Sequence, residues 1–218
     1  MDNSVLYDHR FSAAEVQAKQ QVWKVLCEMI LQKYLSPSDK VLDIACGYGD
    51  FLNHIKAKEK YGIDLGNFNK NYLNSDIQYS DRGIEGLGSY EESSFDVIFM
   101  SNFLEHLPNK RAVEDLLKQC HSLLKPQGSL LVLGPNVSVV KGRYWDYWDH
   151  HVPISDHSMD EALNLCGYET VYSLKKFLPY TTKLSLPKLP IFVKIYLSCP
   201  WVWKILGEQF FIQAKKKT

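Results

Sequence analysis

The sequence lacks an apolar run long enough to cross a bilayer, which takes about 20 consecutive residues. Charged and polar side chains interrupt each hydrophobic stretch of the 218-residue chain before that length, so we expect no membrane-spanning helix. We expect no secretory signal either. Acidic and polar residues follow Met1, where a signal peptide would have a basic start and an apolar segment.

Paired cysteines are also lacking. The five cysteines are scattered, and none has the short spacing to another that zinc sites and redox motifs use. An odd number of isolated cysteines predicts reduced thiols, and hence a cytoplasmic protein. These residues are Cys27, Cys46, Cys120, Cys166 and Cys199.

An excess of basic residues is absent, since 25 lysines and arginines balance 25 acidic residues. This balance argues against a dedicated nucleic-acid-binding protein. The charges are unevenly distributed, however. Residues 175–218 contain nine lysines and one acid, Glu208, so this segment carries +8 and the remainder −8. The asymmetry predicts an anionic surface or substrate near the C-terminus, with a solvated basic face as the alternative.

Short apolar runs alternate with amphipathic segments along the chain. This alternation predicts an α/β fold around a mostly parallel sheet. The predicted strands are KVLDIA, KYGIDL, DIQYSD, FDVIFMSN, GSLLVLGPN, ETVYSLKKFLPY and EQFFIQAKK; the predicted helices are residues 11–35 with Ser12 as a cap, FLNHIKAK, KRAVEDLLKQCHSLLK and SMDEALNLCGY.

The segment VLDIACGYGDF joins a predicted strand to a glycine-containing turn. Gly47 and Gly49 allow a ligand to approach the main chain, and Asp64 closes the next strand, where a carboxylate can accept ribose hydroxyls. Ala45 stands where the first glycine of such loops is expected. We expect a negative φ there, which alanine tolerates. A positive φ would cost about 1–2 kcal/mol, or about tenfold in affinity.

Four segments occur in a fixed order: DIACGYGDF, YGIDL, SFDVIFMSNFLEHL and HSLLKPQGSLLVLGPN. Over about residues 37–136 the chain resembles the class I S-adenosylmethionine-dependent methyltransferases. The resemblance implies a Rossmann-like, seven-stranded, mostly parallel sheet with helices on both faces and the last strand antiparallel. It also implies S-adenosylmethionine as the cofactor, beyond the carboxyl ends of strands one and four.

The resemblance assigns roles to individual residues of this chain. Asp64 would hold the ribose, Leu65 would pack on adenine, and Asp81 would accept the adenine amino group, with Asp76 as a rival. His106 occupies a family position that usually belongs to a helix start. The implied cofactor-binding residues are Asp43, Ala45, Cys46, Gly47, Gly49, Asp64, Leu65, Asp81, Asn102 and Phe103.

The segment GRYWDYWDHHVPIS follows the fifth predicted strand, on the side where an acceptor would meet the cofactor. Arg143, Tyr144 and Trp145 are candidate acceptor contacts. His150 or His151 is a candidate base for a hydroxyl acceptor, although both could be structural histidines bonded to loop backbone. No metal site is expected, since adjacent Asp-His-His lacks a recognised ligand spacing.

The same region resembles a bacterial subgroup associated with cell-surface polysaccharide biosynthesis. We therefore expect O-methylation of a sugar or another small polar acceptor in envelope-glycan biosynthesis. Methylation of a lipid-like molecule such as a quinone is the alternative, and a cofactor-binding scaffold without catalysis is a third hypothesis. The expected partner is a small-molecule or glycan acceptor, not nucleic acid.

The length and the 45% hydrophobic content predict one methyltransferase domain over residues 1–218. Its expected parts are an N-terminal helical cap (1–36), a cofactor-binding core (37–136), an acceptor-side loop and helix (137–174), and an apolar, basic insertion between the last two strands (180–206). The insertion could pack in the core, form a dimer contact, cover the site or lie on an anionic membrane. We thus expect a cytoplasmic protein that could be peripheral at the inner face of the membrane.

Overall fold

The computed structural model describes residues 13–66, 70–180 and 190–217. Ser12, the expected helix cap, and residues 181–189 of the expected insertion lie outside these ranges. The helices are α1 (Ala13–Met29), α2 (Lys110–Leu123), α3 (Val137–Val140), α4 (Asp156–Leu165), α5 (Pro190–Ser198) and α6 (Pro200–Leu206); the strands are β1 (Lys40–Ile44), β2 (Glu59–Ile63), β3 (Ile77–Ser80), β4 (Phe95–Ser101), β5 (Leu124–Pro135), β6 (Tyr168–Leu174) and β7 (Gln209–Lys216).

The strands form a seven-stranded sheet in the order β3-β2-β1-β4-β5-β7-β6. The chain divides into two compact units, Met1–Gly86 with Ser185–Cys199, and Leu87–Leu184 with Pro200–Thr218. The predicted strands and the predicted sheet are confirmed. The organisation of residues 1–218 as one domain stays a prediction.

The first unit contains the parallel strands β1, β2 and β3. Leu42 of β1 lies opposite Tyr61 of β2, which lies opposite Gln78 of β3. Val41, Leu42 and Ile44 are completely buried, as expected of a strand within a parallel sheet. Because the three strands are parallel, the residues that follow each strand come to the same edge of the sheet.

The second unit contains β4, β5, β6 and β7. Strands β4 and β5 are parallel, whereas β7 is antiparallel to both β5 and β6. The expectation of an antiparallel last strand is therefore confirmed. Phe210, Phe211 and Ile212 of β7 are buried. The unit thus has its own apolar core.

The predicted helix FLNHIKAK is wrong. Residues 47–54 form successive turns, and no α-helix follows them before β2. The Asn53 N–H bonds to the Gly49 carbonyl at 2.9 Å, as in one helical turn. However, the Asn53 side-chain amide donates to the carbonyls of Tyr48 at 3.3 Å and Tyr72 at 2.9 Å. Side-chain bonds of this kind offer the backbone an alternative to a continuing helix.

The predicted helix over 11–35 is divided into α1 and a 3-10 turn at Leu31–Tyr34. Helix α1 contacts α5 within the first unit. Among the described residues, none of the helices combines the length and the apolar character required to cross a bilayer.

Candidate active site

A tight turn follows β1 in the first unit. Asp43 lies buried near the end of that strand. The Cys46 N–H donates to the Ile63 carbonyl of β2 at 3.2 Å, and the Gly49 N–H donates to the Cys46 carbonyl at 2.9 Å. A Cβ on Gly62 would come within 3.0 Å of the Cys46 sulfur. The Cys46 thiol therefore packs on β2, which leaves its main chain as the part that a ligand could contact.

Ala45 adopts a left-handed conformation, with φ at 58°. The expectation of a negative φ at this position is therefore wrong. The chain must turn sharply directly after β1, and it uses the same left-handed conformation at Gly47 (φ 51°) and Gly49 (φ 72°). At Ala45 the methyl group makes this conformation unfavourable by about 1–2 kcal/mol.

Asp64, at the end of β2, is hydrogen-bonded to the turn. Its Oδ2 accepts from the Gly47 N–H at 2.7 Å, and its Oδ1 accepts from the Leu65 N–H at 2.7 Å. Burial raises the pKa of the Asp64 carboxyl, while these two hydrogen bonds act in the opposite direction. Asp64 thus fixes the turn and keeps a carboxylate at the edge of the sheet.

The first unit concentrates acidic side chains at this turn. Burial raises the pKa of Asp43 well above its usual range, and the neighbouring Asp64 and Asp50 raise it further. Lys19 of α1 forms an ion pair with Asp50 at 2.6 Å. A positively charged ligand near Asp43 and Asp64 would favour their ionised forms, because opposite charges stabilise each other at short range.

Gln20 of α1 is a contact that the sequence analysis missed. Its Nε2 donates to the Tyr48 carbonyl at 3.0 Å and to Asp50 Oδ1 at 2.9 Å, and its Oε1 lies 2.9 Å from His54 Nε2. One side chain therefore holds the turn at three points. No sequence signal could have identified it, because its partners lie 28 to 34 residues away.

The two rival aspartates lie at opposite ends of β3. Asp81 is exposed and directly follows the carboxyl end of the strand, at the same edge as Asp64. Asp76 precedes the strand and forms an ion pair with Lys60 at 2.7 Å. Leu65 is exposed, and its side chain lies over Gly83, where an added Cβ would come within 2.6 Å of it. This arrangement favours Asp81 over Asp76 as a ligand contact.

The second unit brings together Glu105, His106 and His150, whose donor atoms all lie within 4.8 Å of one another. The rings of His106 and His150 are 5.0 Å apart, and His106 Nδ1 lies 3.0 Å from the Asp149 carbonyl oxygen. Of the two predicted catalytic histidines, His150 is buried in this cluster, whereas His151 has an exposed side chain. The three donor atoms are close enough together to hold a cation.

Aromatic side chains surround His150. Its ring stacks on Tyr147, with centroids 5.2 Å apart and planes 22° apart, and lies 4.7 Å from the ring of Tyr144. Tyr180 lies further out, at 6.4 Å. The Tyr144 hydroxyl donates to the Val152 carbonyl. Sequence analysis found His150 and Tyr144, but Tyr180 is distant in sequence and carried no signal.

Glu105 is a buried carboxyl beside these histidines. Burial raises its pKa to about 8, and the nearby Asp149 adds to the shift. The His151 and Val152 N–H groups donate to the Glu105 carbonyl at 2.8 and 3.1 Å, which attaches the histidine segment to the end of β4. Glu105 and Tyr144 also line a small, otherwise mostly apolar cavity. Glu105 lies in the segment SFDVIFMSNFLEHL, but the sequence alone indicated no role for it.

The remaining predicted residues lie apart from the histidine cluster or at its margin. Asn102 adopts a left-handed conformation (φ 49°) after β4, and its side chain donates to Ser101 Oγ at 2.9 Å. Phe103 directly precedes the 3-10 turn Leu104–His106. Arg143 is ion-paired with Glu208. Trp145 is 55% exposed and contacts the Tyr144 ring edge-on.

The strain at Ala45 predicts an unusual response to glycine. We expect Ala45→Gly to raise the free energy of unfolding by about 1 kcal/mol, because glycine adopts positive φ without a steric cost. Ala162→Gly, within α4, is the matched control and should lower it by about 1 kcal/mol. Urea unfolding of both variants measures the difference. Equal destabilisation by the two substitutions would contradict the left-handed assignment.

The curated proteins similar to this chain include two ubiquinone biosynthesis O-methyltransferases. The ubiquinone biosynthesis O-methyltransferase of Xanthomonas campestris pv. campestris (strain B100) is 30% identical over 118 residues, covering 50% of this chain and 48% of that protein. The enzyme of the same name from Psychrobacter arcticus is 33% identical over 101 residues, covering 41% and 38%. The chain thus spans about half the length of these relatives or less.

Solved structures share the fold. A SAM-dependent methyltransferase from Archaeoglobus fulgidus has a TM-score of 0.65 at 21% identity, covering 91% of this chain and 94% of that one. An S-adenosylmethionine-dependent methyltransferase from Mesorhizobium loti has a TM-score of 0.61 at 16% identity, covering 85% and 95%. A family model described as a methyltransferase domain matches residues 17–172. The chain therefore belongs to the methyltransferase domain family, and it has the fold of S-adenosylmethionine-dependent methyltransferases.

Proposed function

We propose that this chain transfers the methyl group of S-adenosylmethionine to a hydroxyl oxygen of a small, ring-bearing acceptor. The observation that carries the proposal is His150, a buried imidazole stacked among aromatic rings beside Glu105 and His106. An imidazole beside an acceptor can take the proton of a hydroxyl as a general base. The aromatic rings suit a flat or ring-shaped acceptor.

The residues after β1 fit the cofactor. A Cβ on Gly47 would meet nothing within 4 Å, so there is open space beside the main chain at this point of the turn. A ligand with a sulfonium and an ammonium group would favour the ionised forms of Asp43 and Asp64, whose pKa values are raised by burial. When bound, S-adenosylmethionine supplies a methyl group on a positively charged sulfur, which makes that carbon electrophilic.

The proposed cofactor contacts follow from this placement. Asp64 would accept the ribose hydroxyls, Leu65 would pack on the adenine ring, and Asp81 would accept the adenine amino group. The main chain of Ala45, Cys46, Gly47 and Gly49 would contact the methionine part. For Asn102 and Phe103, which follow β4 in the second unit, a cofactor contact stays a prediction.

His150 is the proposed base, and His151 is the second candidate. His150 is supported by its burial, because a site that excludes water limits side reactions with solvent. The stack on Tyr147 also holds its ring in one orientation. His151 is exposed, so it lacks the enclosed aromatic setting of His150.

Two acceptor classes are supported by different observations. A sugar hydroxyl, as in envelope-glycan biosynthesis, is supported by Trp145 and by Trp148, which is 82% exposed on the same loop, since tryptophan can stack on the apolar face of a sugar. A lipid-like phenol or quinol is supported by the two relatives, which are ubiquinone biosynthesis O-methyltransferases. Initial rates on both acceptor classes, measured with one preparation, show which class the protein methylates.

The position of Asp81 predicts a difference between two aspartates. Asp81→Asn should weaken S-adenosylmethionine binding about tenfold or more, because the adenine amino group loses a charged acceptor. Asp76→Asn is the matched control and should leave affinity unchanged, although loss of its ion pair with Lys60 would lower stability. Isothermal titration measures both affinities. Weaker binding by the Asp76 variant alone would overturn the assignment.

The assignment of the base predicts a difference between two neighbouring histidines. His150→Gln should lower turnover about 100-fold or more without changing cofactor affinity. His151→Gln should stay within about twofold of the native rate. Initial rates are measured on a panel of sugars, nucleotide sugars and catechol-type phenols, with and without a chelator.

Native turnover in the His150 variant would defeat the base assignment while leaving the family membership intact. Loss of native activity on chelation would show instead that the cluster of Glu105, His106 and His150 works through a metal ion. Cofactor binding with no turnover on any acceptor would contradict the proposed acceptor classes.

A further inference from the structure

Helix α6 presents an apolar face to solvent. Trp201 and Ile205, one helical turn apart, are each 66% exposed. A helix of a globular protein normally turns such a pair toward the core. Trp201 and Ile205 therefore do not pack in the core, which was one of the alternatives for the insertion between β6 and β7.

The opposite face of α6 is firmly held. Trp203 is buried and meets the Phe177 ring edge-on, with centroids 5.0 Å apart and planes 73° apart. Directly after the helix, Gly207 approaches the main chain so closely that a Cβ there would lie 2.8 Å from the Phe177 nitrogen. This packing fixes the direction in which Trp201 and Ile205 point.

Positive charge accompanies this apolar face. Lys204 of α6 is exposed, and the Lys176 ammonium donates to the Lys204 carbonyl at 3.1 Å. Glu208 is the one acidic residue among positions 175–218. Its carboxylate is ion-paired with Arg143 and accepts a hydrogen bond from the Tyr180 N–H at 3.3 Å. The one negative charge of the segment is therefore compensated locally.

Helix α5, described by itself, has the same character. Ile191 and Ile195 are exposed one turn apart, Lys194 lies between them in sequence with an exposed side chain, and Leu197 is the buried anchor. Two successive helices of the insertion thus combine an exposed apolar pair, an exposed lysine and one buried residue.

We propose that α6 docks on an anionic lipid surface, with Trp201 and Ile205 entering the interface and the lysines lying at the headgroups. Tryptophan with aliphatic and lysine side chains is the composition of helices that lie in a membrane interface. Lysines near an acidic membrane add electrostatic attraction. The proposal assigns the expected membrane contact of residues 180–206 to helix α6. It does not depend on which acceptor is methylated.

The proposal is tested by flotation of the full chain with lipid vesicles. One vesicle set is pure phosphatidylcholine, and the other contains about one third phosphatidylglycerol. We expect binding to the anionic vesicles and little to the neutral ones, with binding reduced by added salt. Trp201→Ser with Ile205→Ser should lower the partition coefficient about tenfold or more, and Lys204→Gln about fivefold.

The matched control is Leu165→Ser, which removes an 80% exposed apolar side chain at the end of α4 and should bind like the native chain. Cofactor affinity of each variant confirms that it is folded. Absence of native binding to anionic vesicles, or equal binding by the double variant, overturns the proposal. A dimer in sedimentation velocity that the double variant abolishes also overturns it, because the face would then meet a second copy.

Discussion

The hydrogen bond from the Gly47 N–H to the Asp64 carboxylate, at 2.7 Å, joins the turn after β1 to the end of β2. This contact places an acidic side chain beside a main chain that turns in the left-handed conformation. The second oxygen of Asp64 is held by Leu65 at 2.7 Å, so the carboxylate has a fixed orientation. The proposed cofactor site depends on this fixed geometry, and α1 supports it through Gln20.

Both units bury carboxyl groups where burial is unfavourable to the charged form. Burial raises the pKa of Asp43 and Asp64 in the first unit and that of Glu105 in the second. Apolar packing alone does not require ionisable side chains at these positions. Their positions at the ends of β1, β2 and β4 suit a ligand with positive charge and an acceptor that must lose a proton.

The seven strands were predictable from the sequence because short apolar runs and their bounding turns are local signals. Gly47 and Asp64 could be singled out from their spacing for the same reason, whereas Asp43 was implied only by the family resemblance. The left-handed conformation of Ala45 was not predictable, because the φ angle of this residue depends on the direction in which the chain leaves β1. The Gln20 contacts and the cluster of Glu105 with His150 join residues distant in sequence. Only the folded chain brings such residues together.

Isothermal titration of the chain with S-adenosylmethionine over falling pH tests the central claim most directly. The account predicts micromolar binding at neutral pH that weakens as the pH falls. The pKa values of Asp43 and Asp64 are raised, so these carboxyls become neutral at higher pH than usual and lose their attraction for a cationic ligand. Absence of binding at millimolar cofactor, or tighter binding at lower pH, would contradict the account.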